Sequence, residues 1–326
     1  MADNPENIPV LDAHNDTLIL KEVRGEVMDF SVAAPEYHAD LPRMKKGGIQ
    51  AAFVMVGDHD LHQSSRLIRA MYMMEENHPD EFTLCRTGAD VEKTLEENKF
   101  ALIMSIESQA MFSEDISLVY NWNRLGVRVA SLTHGEGNTG GHSCALQEDQ
   151  SAFGYVTPEE RKTFRRAKGL TGFGRESLDA MTELNIPCDL AHTNDAAFWE
   201  VIEHGEVPVC YTHGNCYEIC PHARNLTDEM MKALAQRGGV MGMSFYNQFI
   251  HEEEPNLERL ADHFIHALEV MGEDHVGIGT DFDGMKDPVV PDAGHTGCLW
   301  NILRQQNVSE DVLLKIGYKN FLRLLP

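Results

Sequence analysis

The residues of this chain that can do chemistry lie far apart in sequence but share one context: each follows a short apolar run. IPVLDA leads into His14-Asn15-Asp16, ALIMSI into Glu107, VRVASLT into His134 and IPCDLA into His192. VPVCYT leads into His213, GVMGMSF into Tyr246, and VGIGT into Asp281, with Asp283 two residues further on. Residues i and i+2 of an extended strand point to the same side, so His14 and Asp16 can reach one ion. Glu107 carries two oxygens and can bridge two cations. His14, His192 and His213 with Asp16 and Glu107 form a mixed nitrogen and oxygen donor set of the kind zinc and similar divalent metals accept.

These residues converge only if the runs are neighbouring strands whose C-terminal ends open on one side. The eight runs (8–13, 49–56, 101–106, 127–133, 186–191, 207–212, 239–245 and 276–280) are short and mostly continuous in apolar character. Parallel strands buried on both faces read this way. Helical spacing or capping predicts helices over 60–77, 115–125, 175–184, 194–204, 227–236, 256–271 and 309–325. Eight strands alternating with helices predict an α/β fold: a (β/α)8 TIM barrel formed by residues 1–326 as one domain, with the metal-ligating candidates gathered at its C-terminal face. A doubly wound open sheet is the competing architecture, but no GxGxxG follows the first strand. Residues 135–169, Gly-rich at first and weakly periodic, predict a long loop after the fourth strand, on the side where barrel chemistry sits.

Other polar clusters read differently. His38-x-Asp40 repeats the spacing of His14-x-Asp16 but precedes the second strand, which predicts a structural role at the opposite face. Asp58-His59-Asp60-Leu61-His62 reads as a solvated loop and helix start. His142, His222, His251, His263, His266 and His295 follow no strand and read as surface or packing residues. Lys and Arg number 27 against 52 Asp and Glu, a formal charge of −25. Such a field repels phosphate backbones, which excludes general nucleic-acid binding. No window of 18 uncharged apolar residues predicts a membrane span, and the opening MADNPENIPV shows no secretory pattern. The expectation is a cytoplasmic protein whose seven cysteines, without a CxxC, are reduced thiols.

The stretches LDAHND, HADLPRMKKGGIQAAF, MSIES, LTHGEGN, GLTGFGRESLDAMTELNIPCDLAH, THGNC, ARNLTDEMM and HVGIGTDFDG span nearly the whole chain. Together, and in this order, they resemble the membrane dipeptidase (renal dipeptidase) family of zinc metallopeptidases, in the amidohydrolase superfamily. The resemblance implies a barrel with two zinc ions that activate a bridging water to cleave dipeptides. It implies that His14 and Asp16 hold one zinc, His192 and His213 the other, and Glu107 bridges them. It further implies that His134 contacts substrate and the charge developing on it, and that Arg224 grips the substrate carboxylate. Asp281 would be the proton-carrying acid, with Asp283 in its place if the eighth strand ends later. Tyr246, at the end of the seventh strand, joins this substrate-binding set. The resemblance allows a homodimer, although no interface pattern is legible. Two departures touch the pocket: Ser108-Gln109 stands where relatives carry small residues, and GEGNTGG after His134 lacks a common Pro-Trp. The alternative reading is an amidohydrolase acting on N-acyl amino acids or on a lactam or lactone.

Overall fold

The structure is a computed structural model describing residues 8–57, 60–134, 154–164 and 168–326. Its sheet has nine strands among the described residues: β1 (Val10–Asn15), β2 (Ile49–Met55), β3 (Phe82–Leu84), β4 (Phe100–Ile106), β5 (Val127–Ser131), β6 (Cys188–Asp189), β7 (Val209–Gly214), β8 (Val240–Met243) and β9 (Val276–Ile278). The order is β2-β1-β9-β8-β7-β6-β5-β4-β3, and β2 also pairs with β4. Eight parallel strands therefore close on themselves as the expected TIM barrel. β3 lies outside that ring, pairing Phe82 with Phe100 and Leu84 with Leu102 along the first half of β4.

Burial explains the composition of the strands. Every residue of β1, β4 and β7 is buried, because each strand faces the barrel interior on one side and helices on the other. Close strand approach sets one requirement inside the barrel. A Cβ on Gly279 would lie 1.7 Å from the Thr212 carbonyl oxygen, so only glycine fits there.

Apart from Ser117–Leu125, which has no side-chain cap, the predicted helices begin where a side chain can satisfy their free N–H groups. Asp60 accepts from Gln63 N, Asn194 from Ala197 N, Thr227 from Met230 N and Asn256 from Arg259 N. Helices Thr17–Val23, Leu41–Gly47, Gly88–Glu96 and Cys298–Gln305 were not expected. The predicted helix over 309–325 is broken into Glu310–Leu314, a π-helical turn Lys315–Lys319, and Asn320–Leu322. The turn falls where the helix presses on the chain entering β1: a Cβ on Gly317 would sit 2.4 Å from the Pro9 carbonyl oxygen.

The expected loop 135–169 is not irregular throughout. It includes helix Pro158–Phe164, and residues 154–156 pair with the 221–223 segment. Val156 N donates to Pro221 O (2.7 Å) and Ala223 N to Gly154 O (2.8 Å). Residues 135–153, with His142, Cys144 and all of GEGNTGG, lie outside the described residues, as do Asp58 and His59.

Candidate metal centre and substrate cavity

The strand ends deliver their polar residues to one cavity of about 610 Å³, lined among others by Asp16, Glu107, His134, His192, Arg224, Tyr246 and Asp281. The backbone departs from regular geometry where it presents them. The register between β1 and β2 shifts between Asp12 and Asn15, around His14. That between β7 and β8 shifts between Tyr211 and Gly214, around His213. Such irregularities re-aim a side chain that a regular ladder would point elsewhere. His192 and Asp281 adopt left-handed backbone conformations, with φ of 63° and 64°. That costs about 1–3 kcal/mol at each position and is commonest at functional sites.

Glu107 is the hub. Its Oε1 lies 3.0 Å from His192 Nε2 and 3.5 Å from both His14 Nε2 and His213 Nε2. Its Oε2 lies 3.8 Å from His134 Nε2. His14 Nε2 also meets Asp16 Oδ2 at 3.2 Å, and the Nε2 atoms of His192 and His213 face each other at 3.1 Å. Three ring nitrogens converge on one carboxylate oxygen, which offers only two lone pairs, so hydrogen bonds cannot use all three. The same arrangement suits ligation of a cation: His14–Glu107–His213, Glu107–His134–His192 and His14–Asp16–Asp281 each place their donor atoms within 4.8 Å of one another. The residues present therefore fit a divalent metal centre.

The chain's own charges split these groups. Burial opposes protonation of His14, but Glu107 and Asp16 outweigh it and hold the ring well above the usual histidine range. Burial would raise Glu107, yet His134, His14 and His192 carry it well below the usual carboxylate range. His192 and His213 are pushed well down, first by burial and then by positive neighbours including Arg224. They are neutral and available as ligands. Asp281 is raised to about 7, mainly by burial and further by Asp16 and Glu107, against the pull of His14. A carboxyl group at that value can hold or release a proton near neutrality.

Substrate-facing groups border this centre. Arg224, 2% exposed, donates from Nη2 to His213 O (3.2 Å) and stacks its guanidinium 5.2 Å from the Phe249 ring centre. Tyr246 is half-buried, its ring 4.9 Å from that of Phe249. Asp283 serves as a brace: Oδ2 accepts from Thr17 Oγ1 (2.5 Å), and both oxygens accept from His38 N (2.9 and 3.1 Å). That brace corrects the expectation for His38, which lines this cavity instead of the opposite face. Asp40 caps helix Leu41–Gly47 and pairs with Arg43. Gly284 lies so close that a Cβ would meet Asp16 Oδ2 at 2.1 Å and Asp281 Oδ1 at 2.5 Å.

A sequence profile described as membrane dipeptidase (peptidase family M19) matches residues 5–326. The chain belongs to the membrane dipeptidase family. It is 28% identical over 348 aligned residues to dipeptidase ataJ of Aspergillus terreus, covering 98% of this chain and 84% of that protein. It is 30% identical over 248 aligned residues to an uncharacterized protein in the pqqA 5′ region of Klebsiella pneumoniae, covering 74% and 87%. Among solved structures it resembles a metallo peptidase of Rhodobacter sphaeroides liganded with a phosphinate mimic of the dipeptide L-Ala-D-Ala. That likeness has a TM-score of 0.86 at 25% identity over 98% and 99% of the two chains. The crystal structure of dipeptidase AC is equally similar, with a TM-score of 0.86 at 25% identity over 98% of each chain. Among the described residues, no helix is long and apolar enough to cross a membrane.

Several residues of the site carry no motif of their own. Asp12 accepts from Thr280 N (2.7 Å) and Thr280 Oγ1 (2.8 Å). Asp189 accepts from Thr212 N (2.9 Å) and Thr212 Oγ1 (2.6 Å). An aspartate inside an apolar strand run was the available signal, since a buried acid needs partners. Arg161 is buried, forks onto Asp195 at 2.9 Å through two nitrogens, and donates to Ala223 O (2.7 Å) beside Arg224. His222 and His263 are buried, as packing residues are. Cys216 and Cys220 donate to the carbonyls of His263 and Gln248, away from the centre. Ser108 is buried, and Gln109 opens a short 3-10 turn.

Proposed function

We propose that this chain is a zinc-dependent dipeptidase that binds two cations. His14 and Asp16 would hold one, His192 and His213 the other, and Glu107 would bridge them. The convergence of three Nε2 atoms on Glu107, at the wall of a cavity that also holds a buried arginine, carries this reading. Bound divalent ions would supply Lewis-acid polarisation of the scissile carbonyl and bring the pKa of a bound water near neutrality.

The side chains supply the rest. Arg224 would pair through two parallel N–H bonds with a free C-terminal carboxylate, a charge-assisted contact. That grip favours dipeptides, because in a dipeptide the carboxylate lies one residue beyond the scissile bond. A longer peptide would set a neutral amide against a buried guanidinium and lose the ion pair. His134 would donate a hydrogen bond to the carbonyl oxygen as it gains charge, and stabilising that charge is what lowers the barrier most in acyl transfer. Asp281, raised to about 7, would take a proton from the attacking water and return it to the leaving amine. Tyr246 and Phe249 would form the apolar wall beside Arg224.

The test is a panel of L-L and L-D dipeptides, dipeptide amides and N-acyl amino acids, run on chelated protein and on the same protein reloaded with zinc. Hydrolysis of free dipeptides that is lost on chelation and restored by zinc is expected. Equal cleavage of dipeptides and their amides would remove the carboxylate grip. Preference for N-acyl amino acids would place the chain with other amidohydrolase chemistry.

A further inference from the structure

Asp189 and Thr212 lie behind the metal-facing edge of His213, and no role described so far uses them. The carboxylate is fixed on one side: Oδ1 accepts from the backbone N–H groups of Ala191 (3.0 Å) and Thr212 (2.9 Å). On the other side Thr212 Oγ1 lies 2.6 Å from Asp189 Oδ2 and 2.9 Å from His213 Nδ1. An ionised carboxylate only accepts, so the single hydroxyl hydrogen goes to Asp189. The Thr212 oxygen then faces His213 Nδ1 with lone pairs, and Nδ1 must carry the ring proton. That leaves Nε2 with a lone pair aimed at Glu107 and His192.

We propose that Asp189 is a positioning residue that, through the Thr212 hydroxyl, fixes the ring proton of His213 on Nδ1 and keeps Nε2 free as a metal ligand. This rests on the metal-centre reading above, because only a ligand role makes the tautomer matter. The proton position on a ligating histidine is set by what its other nitrogen meets.

The other half of the centre supplies the control. Asp12 clasps Thr280 in the same way, but the Thr280 hydroxyl lies near a backbone carbonyl, His14 O at 3.4 Å, and touches no ring. His14 Nδ1 has no hydrogen-bond partner among the described residues. Among the described residues the device is therefore absent from the His14 half.

The relay predicts a reversal. In Asp189→Asn the backbone donors of Ala191 and Thr212 hold the amide oxygen at the Oδ1 position, which puts the NH2 against the Thr212 hydroxyl. That hydroxyl now accepts from the amide and turns its hydrogen toward His213 Nδ1. The ring proton moves to Nε2, the nitrogen a metal needs.

The experiment is long-range 1H–15N correlation spectroscopy on metal-free protein labelled with 15N-histidine, at pH 8, together with zinc titration. The wild-type protein should show His213 protonated on Nδ1, and Asp189→Asn should show it on Nε2. Asp189→Asn should also weaken one of two zinc equivalents by roughly 10–100-fold. Thr212→Ser in the otherwise wild-type chain should keep the wild-type tautomer and affinity, Thr212→Val should not, and Asp12→Asn should leave the His213 tautomer unchanged. His213 protonated on Nε2 in the wild type, or an unchanged tautomer in folded Asp189→Asn, would overturn the relay. If Asp189→Asn does not fold, equal tautomers in the serine and valine variants of Thr212 would do so. A His213→Ala protein that still binds both zinc equivalents would instead overturn the metal-ligand reading, whatever the spectra show.

Discussion

The two halves of the centre are built from nearly the same string. IPVLDAH ends in His14 on β1, and IPCDLAH ends in His192 after β6. In each, a buried aspartate reaches across to the neighbouring strand and accepts from the backbone and hydroxyl of a threonine. In each, that threonine immediately precedes a site residue: Thr280 before Asp281, Thr212 before His213. The chemistry then diverges. The β1/β9 half carries the acids Asp16 and Asp281 and a histidine biased toward protonation. The β6/β7 half carries two neutral imidazoles and the guanidinium of Arg224. One clasp would thus serve two ends: it would brace the acid proposed to carry protons in one half, and set the ring proton of a proposed ligand in the other.

Glu107 is the only ligand in the proposed set that both halves share, so it gives the largest effect. Glu107→Gln should lower kcat/KM by about 10³-fold or more, because several kcal/mol of transition-state stabilisation depend on both cations. It should also reduce metal content in both positions. Asp16→Asn should reduce metal content in one. Equal losses in the two variants, measured by metal analysis of the purified proteins, would break the division into halves.

Arg224 belongs to the β7 half through its bond to His213 O. Arg224→Met should raise KM for free dipeptides about 10–100-fold, the value of a charged hydrogen-bonded contact, with a smaller change in kcat. Asp281→Asn should show the reverse, a fall in kcat with KM little changed. Steady-state kinetics on a free dipeptide and on its amide separate the two, since the amide should not respond to Arg224→Met.

The residues proposed as ligands were legible as candidates in the sequence because a strand end is a sequence property: an apolar run stops and a polar residue begins. The barrel was legible for the same reason, and its strands are short enough that a boundary error of two residues did not part His14, His192 and His213 from Glu107. What stayed hidden was whatever depends on a partner far along the chain. Asp12 and Asp189 look like isolated acids in apolar strands until Thr280 and Thr212 lie beside them. The Arg161–Asp195 fork joins residues 34 positions apart, and Arg161 also reaches Ala223 across 62. His38 was misplaced because the rule that residues before a strand lie at the far face assumes a short connection. Here residues 24–40 return to the mouth, where Asp283 catches the His38 backbone. β3 has only three residues, too few for a periodic signal, and the π-turn over Lys315–Lys319 answers to a contact with Pro9.

A titratable group sits beneath each half, and the two should tilt stability in opposite directions. Burial raises Asp12 to about 6, so between about pH 4 and 6 the folded chain holds a proton that the unfolded chain has released. Its contribution is present below pH 4 and lost as pH rises through 6, by roughly 3 kcal/mol. Burial lowers His263 to about 4, where Nδ1 accepts from Cys216 N (3.1 Å) and Nε2 meets Ile250 O (2.9 Å). Its contribution is present above pH 6.5 and lost as pH falls through 4, again by roughly 3 kcal/mol. Urea unfolding of chelated protein from pH 4.5 to 7 should give a steeper rise of stability with pH in Asp12→Asn and a flatter one in His263→Asn. Parallel curves for both variants and the wild type would show that neither group changes its proton affinity on folding.

The smallest effect on the centre should come from Thr280→Val. It removes the hydroxyl bond to Asp12 Oδ2 but leaves the backbone bond from Thr280 N, and the hydroxyl touches no ligand ring. A buried carboxylate that loses one of its donors should cost about 1–3 kcal/mol of stability, read as a fall in Tm. Zinc affinity should stay within about threefold of wild type, whereas Thr212→Val, the same change in the other half, should weaken one equivalent by at least tenfold. If the two valine variants lose metal affinity alike, the clasps are equivalent braces, and the difference between the halves reduces to the residues that follow them.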